Sequence, residues 1–123
     1  MIPKYRVAYK NKILGEVGSI DFIDQTVTVP VYDSETGEYL ADLELGLNQV
    51  ILMQSTGLFD VNDKEIFEGD VVKVFDDKLS KIYYSDGAFC VDILNGGTPL
   101  HAFLSEQLEI IGNIYENPEL MEG

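Results

Sequence analysis

The chain of 123 residues has no tryptophan, one cysteine, one histidine and only eight lysines and arginines together. Each scarcity removes a class of function. The single cysteine, Cys90, excludes a disulfide framework and a multi-cysteine metal site. The single histidine, His101, excludes a two-histidine metal site, and no motif in sequence pairs it with a nucleophile and an acid as a catalytic base. No stretch approaches the roughly 18 uninterrupted apolar residues that a membrane helix needs. No apolar run with a small-residue cleavage site follows Met1-Ile2-Pro3-Lys4-Tyr5-Arg6, so the start does not read as a signal peptide, and a cytoplasmic location is the expectation.

Positive charge is scarce in an ordered way. The net charge is −14. The first twelve residues hold Lys4, Arg6, Lys10 and Lys12 and no acid, and no lysine or arginine then occurs from Ile13 to Asp63. That span carries Glu16, Asp21, Asp24, Asp33, Glu35, Glu38, Asp42, Glu44, Asp60 and Asp63. The other cations are Lys64, Lys73, Lys78 and Lys81, and beyond Lys81 only acids remain. Binding to nucleic acid relies on lysine and arginine displacing condensed counterions, so direct DNA or RNA binding is not expected. Such a field steers toward basic partners, although surface charge also serves solubility alone.

What is present is apolar pattern. Hydrophobic residues make up 46% of the chain, with 7 Tyr and 6 Phe, enough for a packed core. The period is mostly two, which predicts strands. Thr26 to Tyr32 alternates, with Val27, Val29 and Val31 on one face. Pro30 cannot donate to a ladder, which predicts an edge or a bulge there. Asp33-Ser34-Glu35-Thr36-Gly37 reads as a turn, and Tyr39 to Leu45 as the returning strand of a β-hairpin. Gly46 and Asn48 punctuate the chain before a buried strand over Val50 to Met53, which Ser55-Thr56-Gly57 is expected to end. Asp60 to Lys64 reads as a second turn. The basic start, Lys4 to Lys12, reads as a tail or an edge strand.

The second half predicts five short strands, Asp70 to Phe75, Lys81 to Tyr84, Ala88 to Ile93, Leu100 to Leu104 and Leu108 to Tyr115, with turn residues at Asp76-Asp77, Ser85-Asp86-Gly87 and Asn95-Gly96-Gly97-Thr98-Pro99. This spacing suits a small SH3-like or partly open β-barrel. Glu68-Gly69-Asp70 before Val71-Val72 resembles the approach to the first strand of such barrels, where glycine lets the backbone turn sharply. Helix is limited to one turn near Ser105 to Leu108 and a short terminal piece opened by Asn117-Pro118. The expected fold is mainly β, with an N-terminal hairpin subdomain over 1–48 and a barrel-like subdomain over 49–123.

No group of residues assembles into recognisable chemistry. The turn acids Asp33, Glu35 and Glu38 lack the loop spacing of an EF-hand. Gly96-Gly97 is not followed by a lysine and a helix start, so there is no phosphate cradle. Cys90 has no neighbouring cation to activate a thiolate. The expectation is a non-enzyme without cofactor or metal. Two surfaces remain: the acidic hairpin with Asp33, Glu35, Glu38, Asp42 and Glu44, and the aromatics Tyr83, Tyr84 and Phe89, which fall on adjacent strands as in SH3-like modules that hold ligands on aromatic grooves.

Two blocks carry a family pattern. The first is Met53-Gln54-x-Thr56-Gly57-Leu58, Asp60, then Lys64-Glu65-Ile66-x-Glu68-Gly69-Asp70. The second is Ile111-Gly112-Asn113-Ile114-x-Glu116-Asn117-Pro118-Glu119-Leu120. Together they resemble the YopX family of phage and prophage proteins, with a weaker match at Gly18 to Phe22. The central turn departs from the family's frequent Asn-Gly-Lys, with Asp63 in place of glycine, and aspartate can occupy a left-handed position at some cost. Gln25 to Leu45 looks individual to this chain. The resemblance implies a β-rich fold, a phage or prophage origin in Gram-positive bacteria, and self-association into a homo-oligomer. It transfers no catalytic residue. It implies structural roles for Gly57, Glu68, Gly69, Asp70, Gly112, Asn117 and Pro118. The resulting expectation is a phage accessory protein that binds a protein partner or itself through the acidic surface. A sharper version mimics DNA charge and occupies a basic site on a host nucleic-acid-binding or defence protein. The alternative is a barrel binding a small ligand or peptide.

Overall fold

The computed structural model describes residues 3–74, 77–92 and 97–121. The expected strand ends at Phe75 and Ile93, and most of the turns at Asp76-Asp77 and Asn95-Gly96-Gly97, lie outside these residues. The fold is mainly β: thirteen strands and four single 3-10 turns are the regular elements among the described residues. The chain divides into two compact units, Met1–Met53 and Gln54–Gly123. The division lies inside a strand and not after Asn48, because Leu47–Gln49 is only a 3-10 turn that runs directly into the next strand.

The first unit holds β1 (Tyr5–Tyr9), β2 (Lys12–Glu16), β3 (Ser19–Asp21), β4 (Thr26–Tyr32), β5 (Tyr39–Gly46) and the start of β6 (Ile51–Phe59). β1 and β2 are joined by Lys10 and Asn11, both at positive φ (48° and 65°), the geometry of a two-residue turn that matches strand twist. Of the basic start, Tyr5–Tyr9 is an interior strand and not a tail, while Lys12 opens β2, the edge strand of this sheet. β1 lies between β2 and β6, because Val7 and Ala8 within it are buried. A second sheet has the order β3-β4-β5. Val27 and Val29 of β4 join Val7 in the core of this unit, with Leu14, Val17, Ile20 and Leu45 packed around them. Pro30 is tolerated because β3 pairs only with Thr26–Thr28, which leaves that side of β4 open at Pro30, and the ladder with β5 shifts register just beyond, between Val31 and Tyr32.

The second unit contains the rest of β6, then β7 (Glu65–Phe67), β8 (Asp70–Val74), β9 (Lys78–Lys81), β10 (Tyr83–Ser85), β11 (Ala88–Asp92), β12 (Gly97–Pro99) and β13 (Leu108–Asn113). Ser55-Thr56-Gly57 does not end the strand, as the sequence led us to expect. Gly57 takes φ +77° and the chain bulges there, while the hydroxyls of Ser55 and Thr56 accept from the amides of Gly57 and Leu58. The orders are β13-β8-β9 and β10-β11-β12. β9 and β10 are one bent lane: Ile82 between them donates to Asp70 O and accepts from Gly69 N. The result is a curled antiparallel meander whose ladder stays open among the described residues. Its core is Ile66, Val72, Val74, Ile82, Val91, Leu100 and Leu108. The strand expected over Leu100 to Leu104 is instead β12 followed by the 3-10 turn Leu100–Ala102. Leu100 and Phe103 point inward while His101 and Ala102 are exposed, an inward spacing of three that a strand cannot supply.

The residues of the two family-like blocks are occupied in holding this unit together. Asp63 takes φ 61°, so the central turn keeps its left-handed residue. Asp60, only 2% exposed, accepts from the amides of Asn62 and Lys64 through one oxygen and from Ile110 N of β13 through the other. Glu68 N donates to Gln54 O, Gly69 takes φ +91°, and its carbonyl receives Ile114 N. The buried Asp70 carboxylate accepts from Phe67 N at 2.8 Å. At the C-terminus, Asn113 Oδ1 accepts from Tyr115 and Glu116, and Asn117 Oδ1 accepts from Asn113 N. Pro118 opens the last 3-10 turn. A Cβ at Gly112 would lie 2.5 Å from Asn117 Oδ1 and 2.8 Å from Leu120 Cδ1. Gly112→Ala is therefore expected to loosen this clasp and lower unfolding free energy by about 1–3 kcal/mol, read from urea denaturation; an unchanged midpoint would show that the clasp yields freely.

Candidate functional site

The five acids proposed from sequence divide into two groups. Asp33 is spent on the turn. Its Oδ1 accepts from Glu35 N at 2.8 Å and Thr36 N at 3.0 Å, its own amide donates to Glu38 O, and Gly37 closes the turn at φ +75°. The amides of Thr36 first and Glu35 second hold the Asp33 carboxyl below its usual range. Glu35 and Glu38 are exposed beside it. Asp42 and Glu44 lie on β5, across from Pro30 and Thr28, and both are exposed. Being two apart on one strand they share a face. Asp42 also pushes the Tyr39 phenol upward through a hydrogen bond to its hydroxyl.

The far end of this hairpin is apolar as well as acidic. Val31, Tyr32, Tyr39, Leu40 and Leu43 are all exposed, Leu40 to 59%. The rings of Tyr32 and Tyr39 meet edge to face, centroids 6.1 Å apart, which stiffens the tip. Sequence reasoning singled out the acids and missed this apolar surface. The alternation of Ala41, Leu43 and Leu45 reads as core, and nothing in sequence tells that β3 is too short to carry the core to the hairpin's end.

The other candidates stay apart from it. Tyr84 is 54% exposed and packs edge to face on Phe89, centroids 5.2 Å apart. A groove of about 290 Å³ beside Phe89 is lined by Thr56, Leu58, Gly87, Ala88, Leu100 and His101, and among the described residues His101 is its only titratable side chain. Tyr83 turns away from this groove: its hydroxyl donates to Asp92 Oδ1 at 2.6 Å, and that bond, with smaller help from desolvation, pushes the phenol up to about 12. Cys90 is buried with its thiol toward Ala88 O. Among the described residues no three His, Cys, Asp or Glu side chains converge as a metal site would need, and no helix is long and apolar enough to cross a membrane.

The geometry thus defines a mainly-β scaffold of two antiparallel units, one of them presenting an acidic and apolar hairpin. The family model described as YopX protein matches residues 4–122, and the chain belongs to the YopX family. A relative from Bacillus subtilis (strain 168), described as an SPbeta prophage-derived uncharacterized protein YopX, is 36% identical over 73 residues, which cover 51% of this chain and 54% of the relative. The matched stretch thus spans about half the length of that curated relative. The crystal structure of protein EF1440 from Enterococcus faecalis superposes with a TM-score of 0.70 at 29% identity, covering 99% of each chain. That of protein yopX from Bacillus subtilis gives 0.63 at 21% identity over 97% of this chain and 98% of the other, a likeness of fold.

Because the Asp33 carboxyl is held below its usual value of 3.8 only in the folded hairpin, its contribution is present above that pH and lost as the pH falls through the folded value. Asp33→Ala is accordingly expected to lower the melting temperature at pH 7, with the gap to the wild type closing as the pH is taken below the carboxylate range. Melting curves at stepped pH check this; a gap that stays constant would mean the turn does not use the ionised carboxylate.

Proposed function

We propose that this chain is a phage-encoded, non-enzymatic protein-interaction module that works in the cytoplasm of a bacterial host and engages a protein with a basic surface. The observation that carries this reading is the β4–β5 hairpin, where exposed Val31, Tyr32, Tyr39, Leu40 and Leu43 adjoin Glu35, Glu38, Asp42 and Glu44, in a stretch without a single cation from Ile13 to Asp63. Exposed apolar surface rimmed by charge marks interaction sites, and the charge selects a partner of opposite sign and speeds its approach. The prophage-derived relative supports the phage origin. His101, exposed and without a titratable neighbour in its groove among the described residues, supports a role other than catalysis. In the sharpest form of the proposal, the partner's basic site is one that otherwise holds nucleic acid. A barrel ligand site at Tyr84 and Phe89 is the weaker alternative, because the groove there is at or below the usual lower size for a small-molecule pocket, about 300 Å³.

The test is retention of proteins from a Gram-positive bacterial lysate at low and high salt, comparing the wild type with the triple reversal Glu35→Lys, Glu38→Lys and Asp42→Lys. A basic protein held by the wild type at low salt, and released both by salt and by the reversal, is the expected result. Equal retention by wild type and reversal overturns the hairpin as the contact.

A second reading, self-association, is favoured by one observation: Lys10 and Lys12 stand exposed at the β1–β2 turn, opposite in sign to the hairpin. A basic turn on one copy meeting an acidic hairpin on the next gives a head-to-tail contact. Light scattering after gel filtration is then expected to show an oligomer that shrinks with salt and with Lys10→Glu plus Lys12→Glu; a mass unaffected by both removes this contact.

A further inference from the structure

β5 is an open sheet edge. It runs eight residues, Tyr39–Gly46, at the end of the order β3-β4-β5. One side pairs with β4 from Gly46 opposite Thr26 to Ala41 opposite Val31 and again at Tyr39 opposite Tyr32, with Leu40 left over between them. On the other side no strand lies alongside it among the described residues, and every residue from Tyr39 to Glu44 is exposed. Unpaired edges of this length are normally guarded by lysine, proline or a bulge on the edge strand itself. β5 carries no proline or lysine, and its register shift makes Leu40 an extra, bulged residue at the tip, between Tyr39 opposite Tyr32 and Ala41 opposite Val31, so the regular edge open to pairing is Ala41–Gly46.

The side chains along this edge specify what would pair with it. Ala41 and Leu43 lie on one face and Asp42 and Glu44 on the other, where Tyr39, carried across by the extra Leu40, lies opposite Tyr32. An added strand places its own side chains directly across from these, within about 5.5 Å, on the same two faces. On one face the complement of Asp42 and Glu44 is a pair of lysines or arginines two residues apart. On the other the complement of Ala41 and Leu43 is apolar and β-branched. A second copy's β5 fits poorly, because antiparallel pairing of identical edges sets Asp42 and Glu44 against one another, and like charges across a ladder are destabilising.

We propose that β5 receives, by strand addition, an extended segment of the partner in which basic and apolar residues alternate. The inference rests on the reading of this hairpin as a contact surface and adds its mode: backbone hydrogen bonds along the edge supply affinity, and the alternate carboxylates supply register.

The experiment uses the full chain and a labelled nine-residue peptide alternating lysine and valine. It is compared with a peptide of the same composition whose lysines are grouped at one end, and with the alternating peptide N-methylated at every second amide. Fluorescence anisotropy is expected to show the alternating peptide binding at least about tenfold tighter than either control, since each control loses several backbone bonds or both charge pairings. Asp42→Lys with Glu44→Lys is expected to lose that preference, and amide exchange within β5 to slow at alternate residues when the alternating peptide is added. Equal binding of the N-methylated peptide overturns strand addition while leaving the hairpin's charge as the contact. No peptide binding, alongside salt-sensitive retention of a lysate protein, overturns strand addition alone. Absence of both removes the contact surface as well. Slowing of β5 exchange with protein concentration and no peptide assigns the edge to a second copy and overturns the basic segment.

Discussion

The Gly69–Asp70 corner is the constraint on which the second unit depends. Gly69 takes φ +91°, a conformation that side chains resist, and in that posture its amide and carbonyl point at two different strands. The amide reaches Ile82 O at the bend between β9 and β10; the carbonyl receives Ile114 N beyond the end of β13. Asp70 then returns a bond to Ile82, accepts the amide of Phe67 with its carboxylate, and pairs with Asn113 in the ladder. Three segments distant in sequence are thereby fixed relative to one another before any apolar contact is counted. The hydrophobic core of Ile66, Val72, Ile82 and Leu108 gives the larger stabilisation, but it is non-directional and would accept several registers. The corner selects one.

This explains why the two family-like blocks, far apart in sequence, belong together. Gly57, Glu68, Gly69, Asp70, Gly112 and Asn117 are each committed to backbone geometry or to another segment's amides. Asp70 and Asn117 each spend a side-chain oxygen on a backbone amide, and Asp70 is buried as well. The resemblance to a family therefore reports how the scaffold is held and carries little about what it contacts. Asp60 belongs with them: in sequence it is one of several turn acids, and only the fold turns its second oxygen onto Ile110.

How far the sequence could be read depended on the kind of signal. Alternation over Thr26–Tyr32 and Tyr39–Leu45, with Asp33 and Gly37 between, specified the hairpin because period two and turn chemistry agree there. Polar residues inside β6 misled, since Ser55 and Thr56 serve the bulge with their hydroxyls and do not end the strand. Leu100 to Leu104 misled for another reason: apolar content alone does not distinguish a strand from a 3-10 turn that buries every third residue. The bend at Ile82 is invisible in sequence because its cause, the Gly69–Asp70 corner, is a dozen residues away. The acids of the hairpin were legible as a cluster. Their division into one structural carboxylate and four exposed ones was not, as it rests on where Asp33 Oδ1 points.

A scaffold whose distinguishing polar residues are consumed internally leaves specificity to whatever it displays. In this chain the display is concentrated: within the first unit, the β4–β5 hairpin exposes five large apolar side chains and four carboxylates, on two strands and the turn that joins them. Rigidity matters because an interaction surface that must first be ordered loses part of its binding free energy to that ordering. The Asp33 turn and the Tyr32–Tyr39 ring pair meet that cost during folding. Where the core ends below the hairpin tip, the same alternation that buries Val27 and Val29 carries on to Val31, Ala41 and Leu43, which are exposed. The hairpin is thus the continuation of the first unit's core alternation to an exposed tip.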